Sequence, residues 1–265
     1  MKKIYNSFLT TFGLICRLPV PLKYNYDFSL FPFFFPIVGL FVSALGLGLF
    51  FLFNPLFLLS GITSFLILLF QYFIFNLFHF DGLLDCADAF LFNTSKERRL
   101  TILTDKRTGS FAIFSGVFYM LIKFYLLSES ISIINSSNYD SLWIIILLFY
   151  PLSGRIAGSL MPSLIPPAED PGLAELLKDY SLTALIVGIM LSFLIPLLLI
   201  INLSNTYDIL ISVLPFTGAI AAGILISFIS KKLVGGYTGD SIGLTIEIGE
   251  LFHLLIAAEL LRRIL

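Results

Sequence analysis

Charged side chains are scarce in this sequence. Asp, Glu, Lys and Arg make up 12% of its 265 residues, whereas 58% are hydrophobic and the mean hydropathy is +0.98. A soluble domain carries about 25% charged residues, so this chain has too few of them to cover a water-soluble globule. Because the apolar residues also come in long blocks, the composition favours an integral membrane protein over a soluble protein with a large core.

Cysteine and net charge are also low, and each scarcity excludes a class of protein. The two cysteines, Cys16 and Cys86, show neither CxxC nor Cys/His spacing, which argues against a disulfide framework and against a zinc site. A net charge of -1 gives no global field that would attract nucleic acid. The sequence therefore predicts no nucleic-acid partner.

Runs of apolar residues recur along the chain, each close to the roughly 20 residues that cross a bilayer as a helix. They predict an all-α, polytopic membrane helix bundle with about seven transmembrane helices, and no linker or repeat divides residues 1–265 into more than one domain. The predicted spans are Phe33–Phe53, Leu56–Phe78, Phe111–Leu127, Leu142–Leu160, Leu182–Leu203, Ile209–Ile229 and Ile242–Leu261.

Lys and Arg are concentrated in alternate connections between these spans. They occupy the start of the chain and the connections after the second, fourth and sixth spans, as Lys2, Lys3, Arg17, Lys23, Lys96, Arg98, Arg99, Lys106, Arg107, Lys178, Lys231 and Lys232. The connections near Asn54, at 128–141 and at 204–208 contain neither residue. By the positive-inside rule we expect the N-terminus and the basic connections to face the cytoplasm. Arg262 and Arg263 depart from this pattern.

Three aspartates near the end of the second span have helical spacing. Asp81, Asp85 and Asp88 are separated as i, i+4 and i+7, which places them in one narrow stripe of a helix. Like charges at this spacing destabilise a helix, so one interpretation is a compensating divalent cation. The other is a solvated helix end just outside the membrane. At mid-membrane each carboxylate would cost about 2.5–3.5 kcal/mol, so we expect the stripe at the inner end of the span or in a polar cavity.

The ligand chemistry of this acid stripe indicates a metal and a reaction class. Carboxylate oxygens without a Cys/His cluster suit Mg²⁺ or Mn²⁺ rather than zinc. Mg²⁺ takes one or two carboxylates and completes its shell with water and substrate phosphate. The acid stripe therefore predicts Mg²⁺ as cofactor and phosphoryl or nucleotidyl chemistry.

Basic residues outside and inside the predicted spans are candidates for anion binding. In the loop after the second span, Asp105 is followed by two cations, Lys106 and Arg107. Such a loop can hold an anion, although the positive-inside rule alone would also place basic residues there. Arg155 lies in the inner half of the fourth span, where an Arg normally faces the bundle and pairs with a carboxylate or a substrate anion. Lys123, near the outer end of the third span, is interpreted as a side chain that reaches the interface.

A glycine-rich segment precedes the last predicted span, with Gly235, Gly236, Thr238, Gly239 and Asp240. Backbone N–H groups of such a segment can cradle a phosphate before a helix N-terminus. Asp240 fits either a helix cap or a metal ligand. Glu247 and Glu250 within the last span are candidates for a polar interior, and we expect His79 and His253 to join that interior through hydrogen bonds.

Taken in order, these motifs resemble the cobalamin synthase family, the adenosylcobinamide-GDP ribazoletransferases. The resemblance covers essentially the whole chain. Its elements are Ile15-Cys16-Arg17-Leu18-Pro19-Val20-Pro21, then His79, Asp81, Gly82, Leu83, Asp85 and Asp88, then Asp105, Arg107 and Gly109, then Lys123, Arg155 and the glycine-rich segment. Cys16, Cys86, Ala89 and Lys106 depart from the family pattern, and none of these departures removes a charged group.

The resemblance implies a single membrane-embedded transferase domain in the cytoplasmic (inner) membrane. Such an enzyme transfers adenosylcobinamide phosphate from adenosylcobinamide-GDP to α-ribazole or α-ribazole 5′-phosphate and releases GMP. It would be a Mg²⁺-dependent phosphotransferase of the substituted-phosphate-group type. Its partners would be these two substrates and the lipid bilayer, and a homo-oligomer is compatible with it.

We assign site roles on this basis. Mg²⁺ is predicted to bind Asp81, Asp85, Asp88 and Asp240. Arg107 and Arg155 are predicted to bind diphosphate oxygens. The other predicted substrate-binding residues are Lys106, Gly235, Gly236, Thr238 and Gly239. Asp105 is predicted to be the general base, because the carboxylates of the acid stripe would be occupied by metal.

Two other functions would use the same carboxylates. The CDP-alcohol phosphotransferases, which make phospholipids, also combine clustered aspartates with membrane helices, but this chain lacks their alanine–arginine pair after the aspartate–glycine. A cation transporter would be a non-enzymatic alternative, and the clustering of the acids on one predicted side argues against it.

Overall fold

Helix is the regular structure in the described part of the chain. The computed structural model describes residues 2–17, 21, 24–136, 141–169, 177, 180–203 and 212–264. In these ranges no strand forms, and Pro167 and Tyr237 meet in an isolated parallel bridge. The helices are α1 (Lys2–Ile15), α2 (Phe31–Phe53), α3 (Ser60–Gln71), α4 (Leu77–Leu91), α5 (Lys96–Leu103), α6 (Ser110–Ser136), α7 (Ser141–Leu148), α8 (Tyr150–Leu164), α9 (Leu182–Leu203), α10 (Leu214–Val234) and α11 (Gly239–Ile264).

Six helical segments of the described residues are long and apolar enough to cross a bilayer. They are Phe31–Phe53, Ser60–Leu91, Ser110–Ser136, Leu142–Leu164, Leu182–Leu199 and Leu214–Val234. Each overlaps one of the first six predicted spans, so the chain is a multi-pass helical membrane protein. The seventh predicted span lies within α11, which is long enough but carries Glu247, Glu250 and Glu259 among its apolar residues. The count of seven stays a prediction.

Some predicted features lie outside the described residues. They are Lys178, the connection at 204–208, the start of the sixth span, and Leu18, Pro19, Val20 and Lys23 of the first basic segment.

Helix α11 occupies the centre of the bundle, where it packs against α4, α6, α8 and α10. The segment Leu142–Leu164, which joins α7 and α8, is the most enclosed of the six candidate crossings, and all of its residues from 142 to 159 are buried. Helix α9 is the most peripheral of them, at 22% buried, and its outward leucines and isoleucines suit contact with lipid. Glu247 and Glu250 of α11 are fully buried, so they project into the bundle.

The basic connections gather at one end of the bundle. There Lys96 forms an ion pair of 2.7 Å with Glu169, and Tyr237 donates its N–H to Pro166. At the opposite end, Arg262 lies 3.7 Å from Glu129, so the basic residue that departs from the charge pattern has an acidic partner. The placement of the basic end in the cytoplasm stays a prediction.

Candidate functional site

The acid stripe lies on α4 as predicted, and helix α11 brings Asp240 beside it. Asp81 is exposed, whereas Asp85, Asp88 and Asp240 are half-buried. The two helices touch at Gly82, where a Cβ would lie only 2.7 Å from the carbonyl oxygen of Asp240 and 2.9 Å from its Cα. Because no larger residue fits there, glycine sets the distance between the two sets of carboxylates.

The carboxylates at this contact repel one another. Asp85 is within electrostatic range of Asp81, Asp240 and Asp88. Burial and then the charge of Asp81 raise the pKa of Asp240, which stands before the apolar part of α11, from 3.8 to about 6. Among ion pairs between described residues, none involves Asp81, Asp85 or Asp240. The cluster therefore has an uncompensated negative charge.

The metal-binding potential of this cluster rests on few ligands. In the described part of the chain, no three His, Cys, Asp or Glu side chains have the arrangement of a preformed metal site. Mg²⁺ needs only one or two carboxylates when water and substrate phosphate complete its shell. The paired, uncompensated carboxylates of α4 and α11 fit that requirement, whereas they would not fit a closed all-protein site.

Asp88 has a different environment from the rest of the stripe. Its two oxygens accept hydrogen bonds from the backbone N–H groups of Gly109 and Ala112, at 2.6 and 2.9 Å. These N–H groups belong to the start of α6, which needs acceptors for its first turn. Asp88 therefore caps α6 across 21 residues of sequence, a positioning role that the prediction of a metal ligand did not include.

The loop before α6 places Asp105 and Arg107 together at the surface. The guanidinium of Arg107 donates to both oxygens of Asp105, at 3.0 Å to Oδ1 and at 2.7 Å to Oδ2. These hydrogen bonds lower the pKa of Asp105 from 3.8 to about 2, so this carboxylate is a poor proton acceptor at neutral pH. The geometry argues against Asp105 as general base. Lys106 and Arg107 are exposed and remain able to meet an anion.

The described hydrogen bonds of the glycine-rich segment cap the two helices that it joins and connect it to Pro166 and Ala168. Gly235 has a φ of 88° and ends α10, a conformation that favours glycine. Thr238 and Ser241 cap the start of α11 reciprocally, each side chain accepting the other's backbone N–H, so Thr238 rather than Asp240 is the cap. A Cβ on Gly236 would lie 2.4 Å from the carbonyl oxygen of Pro166. The binding of phosphate by the glycine-rich segment stays a prediction.

Arg155 is placed inside the bundle rather than at the acid stripe. It is fully buried and donates to Glu250 at 3.0 Å, to Asn76 at 2.7 Å and to the carbonyl oxygen of Pro151 at 3.1 Å. Of the two partners predicted for it, a carboxylate and a substrate anion, the structure supplies the carboxylate.

Lys123 completes this buried ion cluster, which consists of Lys123, Arg155, Glu247 and Glu250. The interpretation of Lys123 as an interfacial side chain is wrong, because it is fully buried and its Nζ lies 2.5 Å from Glu250 and 3.3 Å from Glu247. Its Nζ also donates to Tyr72 and Tyr119. Two cations and two carboxylates balance, as burial of charge within a membrane requires.

A π-helical turn, Tyr72–Asn76, joins α3 to α4. The continuous segment from α3 to α4 therefore contributes side chains both to the buried ion cluster and to the acid stripe. Tyr72 binds Glu247 and Asn76 binds Glu250, and the acid stripe begins five residues later. Sequence reasoning named the charged members of the cluster but missed Tyr72, Tyr119 and Asn76. The polar Gln71 and Asn76 within an otherwise apolar run were the available signal. His253 joins the interior through Ile146, as expected, whereas Nδ1 of His79 lacks a partner among described residues.

Comparison with known proteins agrees with this arrangement. The family model described as cobalamin-5-phosphate synthase matches residues 7–258. An adenosylcobinamide-GDP ribazoletransferase of Fervidobacterium nodosum is 32% identical over 261 residues, which cover 97% of this chain and 98% of the relative. Relatives with the same name from Thermosipho melanesiensis and Kosmotoga olearia are 30% and 27% identical, over 89% and 94% of this chain and 91% and 96% of theirs.

No solved structure matches the chain. The family match nevertheless spans the acid stripe, the basic loop, the buried ion cluster and the glycine-rich segment. The chain belongs to the cobalamin-5-phosphate synthase family.

Proposed function

We propose that this chain catalyses the reaction for which its relatives are named. It transfers adenosylcobinamide phosphate from adenosylcobinamide-GDP to α-ribazole or its 5′-phosphate, releases GMP, and works in the cytoplasmic membrane as a Mg²⁺-dependent phosphotransferase of the substituted-phosphate-group type. The observation that carries the proposal is the meeting of Asp240 with the acid stripe, where carboxylates of two helices crowd together without a cationic side chain.

Two of the three carboxylates Asp81, Asp85 and Asp240 would hold Mg²⁺, since the ion needs only one or two from the protein. Asp88 is excluded because it caps α6. Mg²⁺ supplies positive charge that neutralises diphosphate oxygens. Lys106 and Arg107, exposed in the adjacent loop, supply further charge for an anionic substrate. Arg155 of α8 is assigned to the buried ion cluster, where it binds Glu250 of α11 and Asn76 of the π-helical turn.

The reaction forms one bond and breaks one. The 3′-oxygen of the ribazole bonds to the cobinamide-proximal phosphorus, while the bond from this phosphorus to the bridging oxygen breaks and that oxygen leaves on GMP. The proton of the attacking hydroxyl passes to a carboxylate. Asp105 is a poor acceptor for this proton, because its pKa is about 2 and a base works best with a pKa near the working pH.

The test is release of GMP by the purified chain in lipid nanodiscs. We expect release from adenosylcobinamide-GDP only when both α-ribazole and Mg²⁺ are present, and we expect the Asp85→Asn variant to lose most of it while unfolding at the wild-type temperature. Full activity of Asp85→Asn, or undiminished activity in excess EDTA, would remove the metal assignment. Cation flux through liposomes without GMP release would favour the transporter.

A further inference from the structure

A cleft of about 580 Å³ opens beside the acid stripe, between the end of α1 and the start of α4. Its lining side chains are mainly apolar and include Ile15, Leu77 and Phe80, whereas nearly half of its accessible surface is polar. The charged side chains among its lining residues are Arg17 and Asp81. The cleft therefore combines apolar side chains and polar surface with one cation and with the first carboxylate of the acid stripe.

Arg17 is held at this cleft by two contacts. Its backbone N–H donates to the carbonyl oxygen of Ile74 at 2.8 Å, and its guanidinium lies 5.2 Å from the ring centre of Phe73, within the range of a cation–π contact. The side chain is exposed and takes part in no ion pair between described residues. A positioned and unpaired guanidinium is suited to bind a phosphate in bidentate fashion.

The size and polarity of the cleft distinguish among the parts of the substrates in the proposed reaction. Its volume suits a nucleoside-sized molecule and is too small for a corrinoid. The benzimidazole base of α-ribazole has few polar atoms, so it suits the apolar side chains of Ile15, Leu77 and Phe80. Its ribose hydroxyls and its phosphate suit the polar part of the surface and Arg17.

We propose that this cleft is the acceptor site, with the benzimidazole base of α-ribazole against the apolar side chains and Arg17 bound to the 5′-phosphate of the phosphorylated acceptor. The ribose then lies toward Asp81, next to the carboxylates at which the phosphoryl group is transferred. This inference rests on the proposed function, and it makes Arg17 the residue that distinguishes α-ribazole 5′-phosphate from α-ribazole.

Steady-state kinetics with the two acceptors test the assignment. Arg17→Gln should raise KM for α-ribazole 5′-phosphate about tenfold, the effect of losing one hydrogen bond to a charged group. It should leave KM for α-ribazole and for the GDP-activated donor within about twofold. Arg17→Lys should restore part of the loss, and Arg263→Gln, an exposed Arg at the other end, should change none of these values.

A second variant tests the cleft itself. Leu77 is exposed and lines the cleft, so Leu77→Trp would fill it without disturbing the core, and KM should rise for both acceptors. An equal effect of Arg17→Gln on both acceptors, or an unchanged KM in Leu77→Trp, would overturn the proposal. Absence of GMP release by the wild type would instead reject the proposed function. In that case, calorimetric titration of α-ribazole 5′-phosphate into wild type and Arg17→Gln would test the cleft as a binding site independently of turnover. Equal affinities of the two proteins would overturn the proposed site.

Discussion

The aspartates at the basic end of this protein differ mainly in their neighbours. Asp88 accepts from two backbone N–H groups of α6, and Asp105 accepts from a guanidinium. Asp240 takes part in no ion pair between described residues, and burial beside Asp81 raises its pKa although its own backbone N–H favours the charged form. At the scale of single residues, the carboxylates that neither cap another helix nor pair with a cation are therefore the ones available for a metal or a proton.

Replacing Asp88 should weaken the fold more than the chemistry. In Asp88→Asn, an amide cannot accept from both Gly109 and Ala112, so one N–H at the start of α6 loses its acceptor. We expect a loss of about 1 kcal/mol in unfolding free energy, visible as a lower thermal midpoint in detergent, with an unchanged Mg²⁺ requirement. Asp81→Asn, at an exposed position, is the control for stability. An unchanged midpoint would contradict the capping role.

The pKa of Asp240 predicts how stability depends on pH. Its value is about 6 in the folded protein, against an ordinary 3.8, so between these values the folded state binds more protons than the unfolded state. The stabilisation from this group is complete below its ordinary pKa and is lost as pH rises through about 6. Because Mg²⁺ competes with that proton, we expect Mg²⁺ to raise the thermal midpoint more at about pH 7.5 than at about pH 5.

The Asp240→Asn variant is the control for this measurement. It removes the titrating group, so the difference between the two pH values should shrink. A Mg²⁺ effect of the same size at both pH values in the wild type would show that the cation binds elsewhere.

At the scale of helices, the contact between α4 and α11 sets the site. Gly82 of α4 lies against the backbone of Asp240, and Gly243 of α11 lies against the backbone of His79, where a Cβ would be 2.9 Å from its carbonyl oxygen. Backbone atoms cannot move aside as a flexible side chain can. The two glycines therefore fix how closely the carboxylates of the two helices approach.

A methyl group at this contact should separate the helices. We expect Gly82→Ala to lower kcat/KM by more than about tenfold and to raise the Mg²⁺ concentration needed for half-maximal activity. Gly48→Ala is the matched control, because a Cβ there meets no atom within 4 Å. Wild-type dependence on Mg²⁺ in Gly82→Ala would mean that the helix spacing does not position the carboxylates.

The sequence predicted where the helices lie better than it predicted which helices pack against each other. Hydrophobic runs located six crossings, and the i, i+4, i+7 spacing correctly placed Asp81, Asp85 and Asp88 on one helix. The facing residues were missed because spacing along a chain does not reveal which helix packs opposite. Lys123 was assigned to the interface for this reason, although its Nζ meets Tyr72 of the π-helical turn and Glu250 of α11 inside the bundle. The turn itself has no strong sequence signature.

The buried ion cluster should respond to charge balance. Lys123→Met alone leaves an uncompensated carboxylate among fully buried residues and should cost about 3–5 kcal/mol of unfolding free energy. Adding Glu247→Gln restores neutrality and leaves the Arg155–Glu250 pair intact. We therefore expect the double variant to be more stable than Lys123→Met, measured as thermal midpoints in detergent. A double variant that loses the sum of both single effects would show that the groups are not coupled.

At the scale of the whole molecule, the protein has two unlike ends. One end gathers the acid stripe, the basic loop, the glycine-rich segment and the cleft beside Arg17. The other holds polar pairs, such as Asn54 with Asn135 and Arg262 with Glu129. Substrates with phosphate groups and a soluble nucleotide product suit the first end, and the excess of Lys and Arg there predicts that it faces the cytoplasm.

Labelling of single cysteines tests this orientation. Cys16 and Cys86 are both buried, so they should react slowly with a membrane-impermeant maleimide in whole cells. Glu97 at the start of α5 and Ser136 at the end of α6 are exposed at opposite ends. We expect Ser136→Cys to be labelled in intact cells and Glu97→Cys only after permeabilisation, because α6 crosses the bilayer between them. The reverse pattern would invert the topology and separate the site from cytoplasmic substrates, and labelling of both from outside would mean that α6 does not cross.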